Sequence, residues 1–455
     1  MNLKHSSLIQ VREYATLSLN NCEASLDFAT ISPKTFAWLV ELIEADKLRA
    51  QIRKNYIKLG SQVGYIEVPS GEQIEILPKI ATDEHLSEQV IEPLRSVLQK
   101  MVRCAYKLEG REIGSADLKA NRLVLHEWIY HNFLMELQRL LKRGLRGDYQ
   151  QIESTETFLK GRLNVNQMMC QRPGKGHYFP QRYDQFNYAR IENRLIKSAL
   201  EVIASQTESS DNWQRANEFI KRLESVPSIC DAPRHFSRWE ASKLMLHYEA
   251  ILPWCRLILE RINPNFQKGN HRGIAFLFPM EQLFEQYVGR FLQKHWPMVN
   301  VALQNRPYSL LRHQPRDGDE LSFFNLQPDI TITGENEVII GDTKWKILNE
   351  NKANSTAKYG ILQSDIYQML GYGYRYQHAD LPCQNLLLIY PYSSRFTTML
   401  PPFKNYGKAS QQLQIWVIPF AFGIEDSGTI PEGLVIGDHP DDLNDSALEV
   451  LFQNR

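Results

Sequence analysis

Two stretches decide the reading of this chain. The first is Gln327-Pro328-Asp329-Ile330-Thr331-Ile332. The second is Val338-Ile339-Ile340-Gly341-Asp342-Thr343-Lys344-Trp345-Lys346, beyond a break at Gly334-Glu335-Asn336. Both are runs of β-branched and aliphatic residues with charge gathered at one end, which predicts two strands paired as a hairpin. Side chains alternate along a strand, so Asp342 and Lys344 share a face. Pairing through the Gly334 turn would bring Asp329 close to Asp342. An Asp-x-Lys tripeptide by itself is common on exposed edge strands. Here it ends an apolar run, and an acid-bearing strand precedes it at short range.

Two carboxylates brought together suit a hard divalent cation such as Mg²⁺, which keeps part of its water shell and takes a phosphate oxygen. A metal so held stabilises charge during phosphodiester hydrolysis and acidifies a bound water. A neighbouring lysine orients that water or neutralises the phosphate. Asp329, Asp342 and Lys344 are therefore the candidate catalytic core, with Asp329, Asp342 and the carbonyl of Thr343 as metal ligands. Two predicted helices flank it. In Met280-Glu281-Gln282-Leu283-Phe284-Glu285-Gln286-Tyr287-Val288, Glu281 and Glu285 stack one turn apart. Glu285 is a candidate to hold the metal through water or to orient its ligands. Downstream, Gln368 and Tyr372 share a helical face within Ser364-Asp365-Ile366-Tyr367-Gln368-Met369-Leu370-Gly371-Tyr372-Gly373. Both are candidates to meet the scissile phosphate, although core packing alone would also explain Tyr372.

Working outward, periodicity divides the 455 residues into an α+β multidomain chain. Residues 1–82 read as a β-rich N-terminal domain. It contains a strand at Val11–Leu17, a hairpin turning at Pro69-Ser70-Gly71 and one helix capped by Ser32-Pro33. Residues 83–262 read as a helical middle region, from apolar stripes such as Ile91–Val102, Phe133–Leu141 and Leu244–Leu252. Residues 263–425 read as a mixed α/β core, and 426–455 as a tail. In that tail Leu448-Glu449-Val450-Leu451-Phe452-Gln453 matches a viral-protease site used in expression tags, but Asn454-Arg455 follows in place of Gly-Pro. It is left out of the functional reading.

Composition narrows the classes. Lys plus Arg and Asp plus Glu are 52 each, which argues against a nucleic-acid coat protein but leaves room for one local basic groove. The densest basic cluster, Arg139, Lys142, Arg143 and Arg146, is a candidate DNA contact, though cations also end helices for dipole reasons. Six scattered cysteines without a Cys-x-x-Cys pair argue against zinc and against a disulfide framework. With neither a signal-peptide core nor a run near the ~20 apolar residues of a membrane span, a cytoplasmic location is expected. His126-Glu127 with His131 misses the zincin spacing by one residue and reads as helical surface.

Taken together, Leu283-Phe284-Glu285-Gln286-Tyr287-Val288, Gln327-Pro328-Asp329, Gly341-Asp342-Thr343-Lys344-Trp345-Lys346 and Asp365–Tyr372 resemble the McrC family, nuclease subunits of methylcytosine-dependent McrBC restriction systems. Ile74–Ile80, Gly161-Arg162-Leu163 and Arg190–Leu195 also look like family motifs. The resemblance implies a PD-(D/E)xK endonuclease core using Mg²⁺ on double-stranded, methylated DNA. It also implies a partner, a hexameric McrB-like AAA+ GTPase that binds the GTP and is stimulated through the β-rich N-terminal part. Delegated nucleotide use agrees with the sequence, which carries no Gly-x-x-x-x-Gly-Lys-Ser/Thr loop. Two alternatives stand beside this reading: a non-catalytic scaffold of an AAA+ ring with a vestigial core, and a nuclease answering another DNA cue. Intact Asp329, Asp342 and Lys344 argue against the first.

Overall fold

The computed structural model describes residues 8–80, 86–108, 122–172, 174–229, 231–240, 242–261, 273–297, 299–306, 308–316, 318–334, 337–377, 381–406, 412–423 and 432–436. The Leu448–Gln453 segment lies outside them. Two compact units emerge: residues 1–108 with 266–455, and residues 109–265.

The first unit joins the N-terminal strands to the mixed α/β core. Strands β1 (Leu8–Arg12), β2 (Gln62–Glu67), β3 (Gln73–Leu77) and β4 (Ile274–Pro279) form one sheet in the order β1-β3-β2-β4. The apolar run Ile274–Pro279, unassigned from sequence, thus completes a sheet begun some two hundred residues earlier. It does so antiparallel to β2, with Phe276 opposite Tyr65. The expected boundary at 82/83 therefore falls inside one compact unit, whereas that at 262/263 lies three residues from the division at 265/266. Glu88–Ala105 also belongs with this sheet, where the Arg95 guanidinium forks onto the buried Glu75 at 2.7 and 2.6 Å.

Helix α1 (Pro33–Glu44) starts as the sequence foretold, with Ser32 Oγ accepting from Thr35 N and proline in the first turn. The expected continuous strand Val11–Leu17 is instead broken, because Tyr14 takes φ 63° and the chain turns around the buried Glu13.

A second sheet in this unit carries the candidate site. From Met280–His295 (α2) the chain enters β5 (Asn300–Leu303), β6 (Ile330–Thr333) and β7 (Val338–Thr343). Helix α3 (Gln363–Tyr376) leads on to β8 (Asn385–Pro391), β9 (Leu400–Lys404) and β10 (Gln414–Ala421). The order is β5-β6-β7-β8-β10-β9, with Gly433–Leu434 added beside β10. β5, β6 and β7 run antiparallel, and β7, β8 and β10 run parallel. Alternation sorts the two faces. Val338, Ile340, Leu386, Leu388 and Val417 share a core with Met369, Tyr372 and Tyr376 of α3. On the opposite face Phe284 of α2 packs edge-on against Trp345 and Phe420, at 5.2 and 6.2 Å between ring centres.

The second unit corrects the expectation of a purely helical middle. Leu125–Arg143 and Ile191–Gln206 are long helices, but Asp148–Glu156, Arg162–Leu163 and Phe179–Asn187 form a three-stranded antiparallel sheet. Its strands are largely exposed, so no apolar period announces them. The helix expected over Leu244–Leu252 is a series of short pieces, because Pro253 lacks the N–H that would continue it and starts Leu252–Arg256 instead. His126 and Glu127 are buried rather than on a surface. Glu127 accepts from Thr207 Oγ1, from the N–H groups of Glu208 and Ser209, and from Asn212 Nδ2, tying down the start of the helix Ser210–Arg222.

The β2–β4 junction rests on Gly64, whose φ is 138° and where a Cβ would lie 1.9 Å from the Phe276 carbonyl oxygen. Gly64→Ala is expected to lower unfolding stability by at least about 2 kcal/mol, measured by urea denaturation. An unchanged midpoint would show that this pairing does not hold the unit together.

Candidate active site

The site follows from the ladder between β6 and β7. Ile330 faces Gly341 and Ile332 faces Ile339, so one step further sets Asp329 opposite Asp342. Gly334 N donates to Glu337 O at 3.0 Å, which fixes the alternation. The hydrogen-bonded pairs are 334/337, 332/339 and 330/341, and the next is 328/343. Residue 328 is proline and has no N–H to give the Thr343 carbonyl. Thr343 N turns instead to Asp329 Oδ2 at 2.7 Å, and Thr343 Oγ1 donates to the same oxygen at 2.9 Å. The N–H and C=O of one strand residue point the same way, so the Thr343 carbonyl faces the Asp329 side without its ladder partner.

Asp342 is 1% exposed and ion-paired with Lys344 Nζ. A chain of contacts then leads away from the lysine. Lys344 Nζ donates to Gln368 Oε1 at 3.1 Å, Gln368 Nε2 to Tyr372 Oη at 2.8 Å, and Tyr372 Oη to the Gln327 carbonyl at 3.0 Å. The relay thus starts beside Asp342 and ends two residues before Asp329. The strand's period of two aims Asp342 and Lys344 at α3, while Thr343 and Trp345 take the α2 side.

Electrostatics match this crowding. Burial, reinforced by the charge of Asp329, pushes the Asp342 carboxyl up to about 7 against the pull of Lys344. Burial also raises Asp329, although Thr343 donates to it twice. Burial alone would lower the Lys344 ammonium, but Asp342 and then Asp329 outweigh it and hold the lysine charged. Glu285 senses the charge of both aspartates. It accepts from Gln304 Nε2 at 2.7 Å, and burial followed by the charge of Asp329 pushes it up to about 7. Its helical neighbour Glu281 turns away to Ser61 Oγ.

Sequence reasoning assigned no role to Asp365, which is buried in the first turn of α3, accepts from Tyr390 Oη at 3.3 Å and adds its field to Asp342 and Lys344. Its acidic place at a helix start was the available signal. Gln304, the first of the polar run Gln304-Asn305-Arg306 at a strand end, gave none. Arg139, Lys142, Arg143 and Arg146 belong to the second unit, where all four are exposed and Arg139 is paired with Glu136.

Among the described residues no three His, Cys, Asp or Glu side chains gather as a metal cluster. The donor set at the ladder is two carboxylates and one main-chain carbonyl, all oxygen. That set fits a cation which retains several waters, as Mg²⁺ does, and fits zinc poorly.

Fold and site together define a multidomain mixed α/β protein whose sheet brings two carboxylates and a lysine to one strand end. A family model described as McrBC 5-methylcytosine restriction system component matches residues 57–391, and the chain belongs to that family. The Type IV methyl-directed restriction enzyme EcoKMcrBC of Escherichia coli K12 is 22% identical over 314 residues, 67% of this chain and 87% of its own length. An assembly of Thermococcus gammatolerans McrB AAA+ hexamers with bound McrC has a chain with TM-score 0.63 and 17% identity, covering 91% of this chain and 95% of that one. The McrBC complex of the same organism gives TM-score 0.49 and 18% identity over 64% and 88%. At these identities the structural likeness is one of fold. Among the described residues no helix is long and apolar enough to cross a membrane.

The raised carboxyls make a testable stability signature. Asp342 binds its proton at a higher pH folded than unfolded, so its contribution favours folding in acid and is lost as pH rises through about 7. In EDTA, Asp342→Asn is expected to be more stable than wild type at pH 8, by roughly 0.5–2 kcal/mol, with the gain shrinking toward pH 5. A thermal melt series across that range checks it, and a variant less stable at pH 8 would refute the account.

Proposed function

We propose that this chain is the McrC-like nuclease subunit of a modification-dependent restriction complex, hydrolysing DNA phosphodiester bonds at a PD-(D/E)xK centre. The observation that carries the reading is the ladder end itself. Asp329 and Asp342 lie opposite one another, and Pro328 leaves the Thr343 carbonyl turned toward the same place. Asp329, Asp342 and that carbonyl would hold Mg²⁺, which when bound supplies charge stabilisation and an acidified water.

The chain's own residues do the rest. Lys344, kept protonated against Asp342 and steadied by Gln368, offers positive charge to a phosphate oxygen or orients the attacking water. Tyr372 anchors Gln368 to the main chain at Gln327, so the relay fixes the lysine relative to the Pro-Asp strand. Glu285, titrating near neutrality, is suited to hold or release a proton beside the carboxylate pair at physiological pH. Lys142, Arg143 and Arg146 are exposed cations suited to phosphate contact.

The partner in this reading is an McrB-like AAA+ GTPase, supported by family membership and by the similar chain from an assembly of McrB AAA+ hexamers with bound McrC. That partner would bind the GTP and read the methylated DNA. Strands β2 and β3 are almost wholly buried, so any N-terminal docking would fall to neighbouring exposed residues such as Phe28, Ile52 and Tyr56.

The test is cleavage of methylated and unmethylated plasmid by the reconstituted pair with GTP and Mg²⁺. Asp342→Ala and Lys344→Ala are each expected to lower cutting by at least about a hundredfold, the scale of losing one electrostatic catalytic group. GTP hydrolysis stimulated in the same tubes is expected to survive. Mutants that cut like wild type would favour a scaffold with a vestigial core.

A further inference from the structure

Between β5 and β6 the chain makes an excursion that the proposed chemistry does not use. Gln304 N donates to Asp329 O at 3.0 Å across its base, and Leu326 N donates to Tyr308 O at 2.9 Å just above. Beyond that, Ser309–His313 and Leu321–Asn325 pair as a two-stranded antiparallel ribbon that joins no other strand among the described residues. Its root is braced against α3, where Arg375 Nε donates to Ser309 O at 3.2 Å and the Arg375 guanidinium lies over the Tyr308 ring.

The ribbon exposes what a sheet normally buries. Leu311 sits opposite Phe323 and His313 opposite Leu321 on one face, and Leu311, Leu321 and Phe323 are 55%, 51% and 38% exposed. Phe324, whose ring lies 6.5 Å from that of Phe323, is 69% exposed and takes φ 58°, an uncommon backbone state for a bulky aromatic. Two strands alone are marginally stable in water, so this ribbon is built to be covered.

We infer that the 309–325 ribbon enters a groove of the DNA beside the scissile phosphate, a reading that rests on the proposed nuclease function. A two-stranded antiparallel ribbon fits the major groove of B-DNA, where apolar side chains meet base methyl groups and cations meet base edges and phosphates. The ribbon supplies both kinds of group, the exposed rings and leucines on one hand and Arg312, His313 and Arg316 on the other, with the acids Asp317, Asp319 and Glu320 confined in sequence to the stretch between its strands. The Arg312–Glu320 pair, 3.6 Å apart and open to solvent, is easily exchanged for a phosphate. Placement argues for DNA over a second copy of the chain. From Phe323 the strand reaches Asp329 in six residues, at most about 20 Å, or roughly six base-pair rises.

Phe324→Gly separates function from folding, because it removes the ring and installs the residue that best tolerates a positive φ. The full-length chain is titrated into a labelled 30-base-pair duplex in Ca²⁺, followed by anisotropy over a salt series, with melting temperature and sedimentation measured alongside. Phe324→Gly is expected to weaken binding about fivefold or more, the scale of one lost aromatic contact to a base, with an unchanged or higher melting temperature. Arg312→Gln is expected to flatten the slope of log K against log salt by about 0.9. Binding equal to wild type in both variants overturns the inference, as does a wild-type chain that does not bind the duplex. It is also overturned if Phe324→Gly only dissociates a dimer. Asp342→Ala in a parallel plasmid assay keeps the two readings apart. If it still cuts, the nuclease assignment fails; if it is inert while Phe324→Gly binds normally, only the ribbon assignment fails.

Discussion

A proline placed opposite a threonine carbonyl constrains everything else at this site. In an uninterrupted antiparallel ladder residue 328 would donate to Thr343, and the strand end would be an ordinary hydrogen-bonded pair. Pro328 cannot donate, and the Asp329 carboxylate takes the Thr343 N–H in its place. The same two residues therefore free one acceptor and hold a carboxylate beside it, across from a second carboxylate at Asp342. Each neighbouring feature either tolerates or offsets that concentration of negative charge. Lys344 pairs with Asp342, Thr343 donates twice to Asp329, and the remaining strain appears as raised carboxyl pKa values.

The surrounding architecture keeps the strand end from relaxing. One face of β7 is covered by α3 and the other by α2, so Asp342 and Lys344 cannot swap sides without a register slip that would invert the buried set. Trp345 adds a longer tie: its indole N–H donates to Glu13 Oε1 at 2.5 Å, linking the residue after Lys344 to the start of the chain. Glu13 accepts from Lys79 N as well, and burial nevertheless pushes its carboxyl up to about 7. A buried acid with two donors is a costly tether, and it joins the N-terminal segment to the candidate site within one compact unit.

Much of this was legible in the sequence because the decisive residues lie close together in the chain. Asp329, Asp342 and Lys344 are linked by one short hairpin, and local periodicity was enough to place them. The helical stretches quoted from the sequence, Met280–Val288 and Ser364–Gly373, both fall inside the observed α2 and α3. Long-range joins were not legible. Nothing in Ile274–Pro279 says that its partner strand is Gln62–Glu67, and nothing local links Trp345 to Glu13. The exposed strands Asp148–Glu156 and Phe179–Asn187 were missed because polar residues on both faces erase the alternation on which a strand assignment depends. The contact of the Tyr372 hydroxyl with the Gln327 carbonyl, 45 residues away in sequence, is another long-range join that no local pattern announces.

Whether Asp329, Asp342 and the Thr343 carbonyl form one cation site is decided by calorimetric titration of the full-length chain with Mn²⁺. The account expects a single site whose binding releases protons near pH 7, since the carboxyls must give up the proton that burial lets them keep. It expects Asp342→Asn to abolish that binding, with proton release diminishing as the pH is raised. Absence of binding, or binding that Asp342→Asn leaves intact, would contradict it.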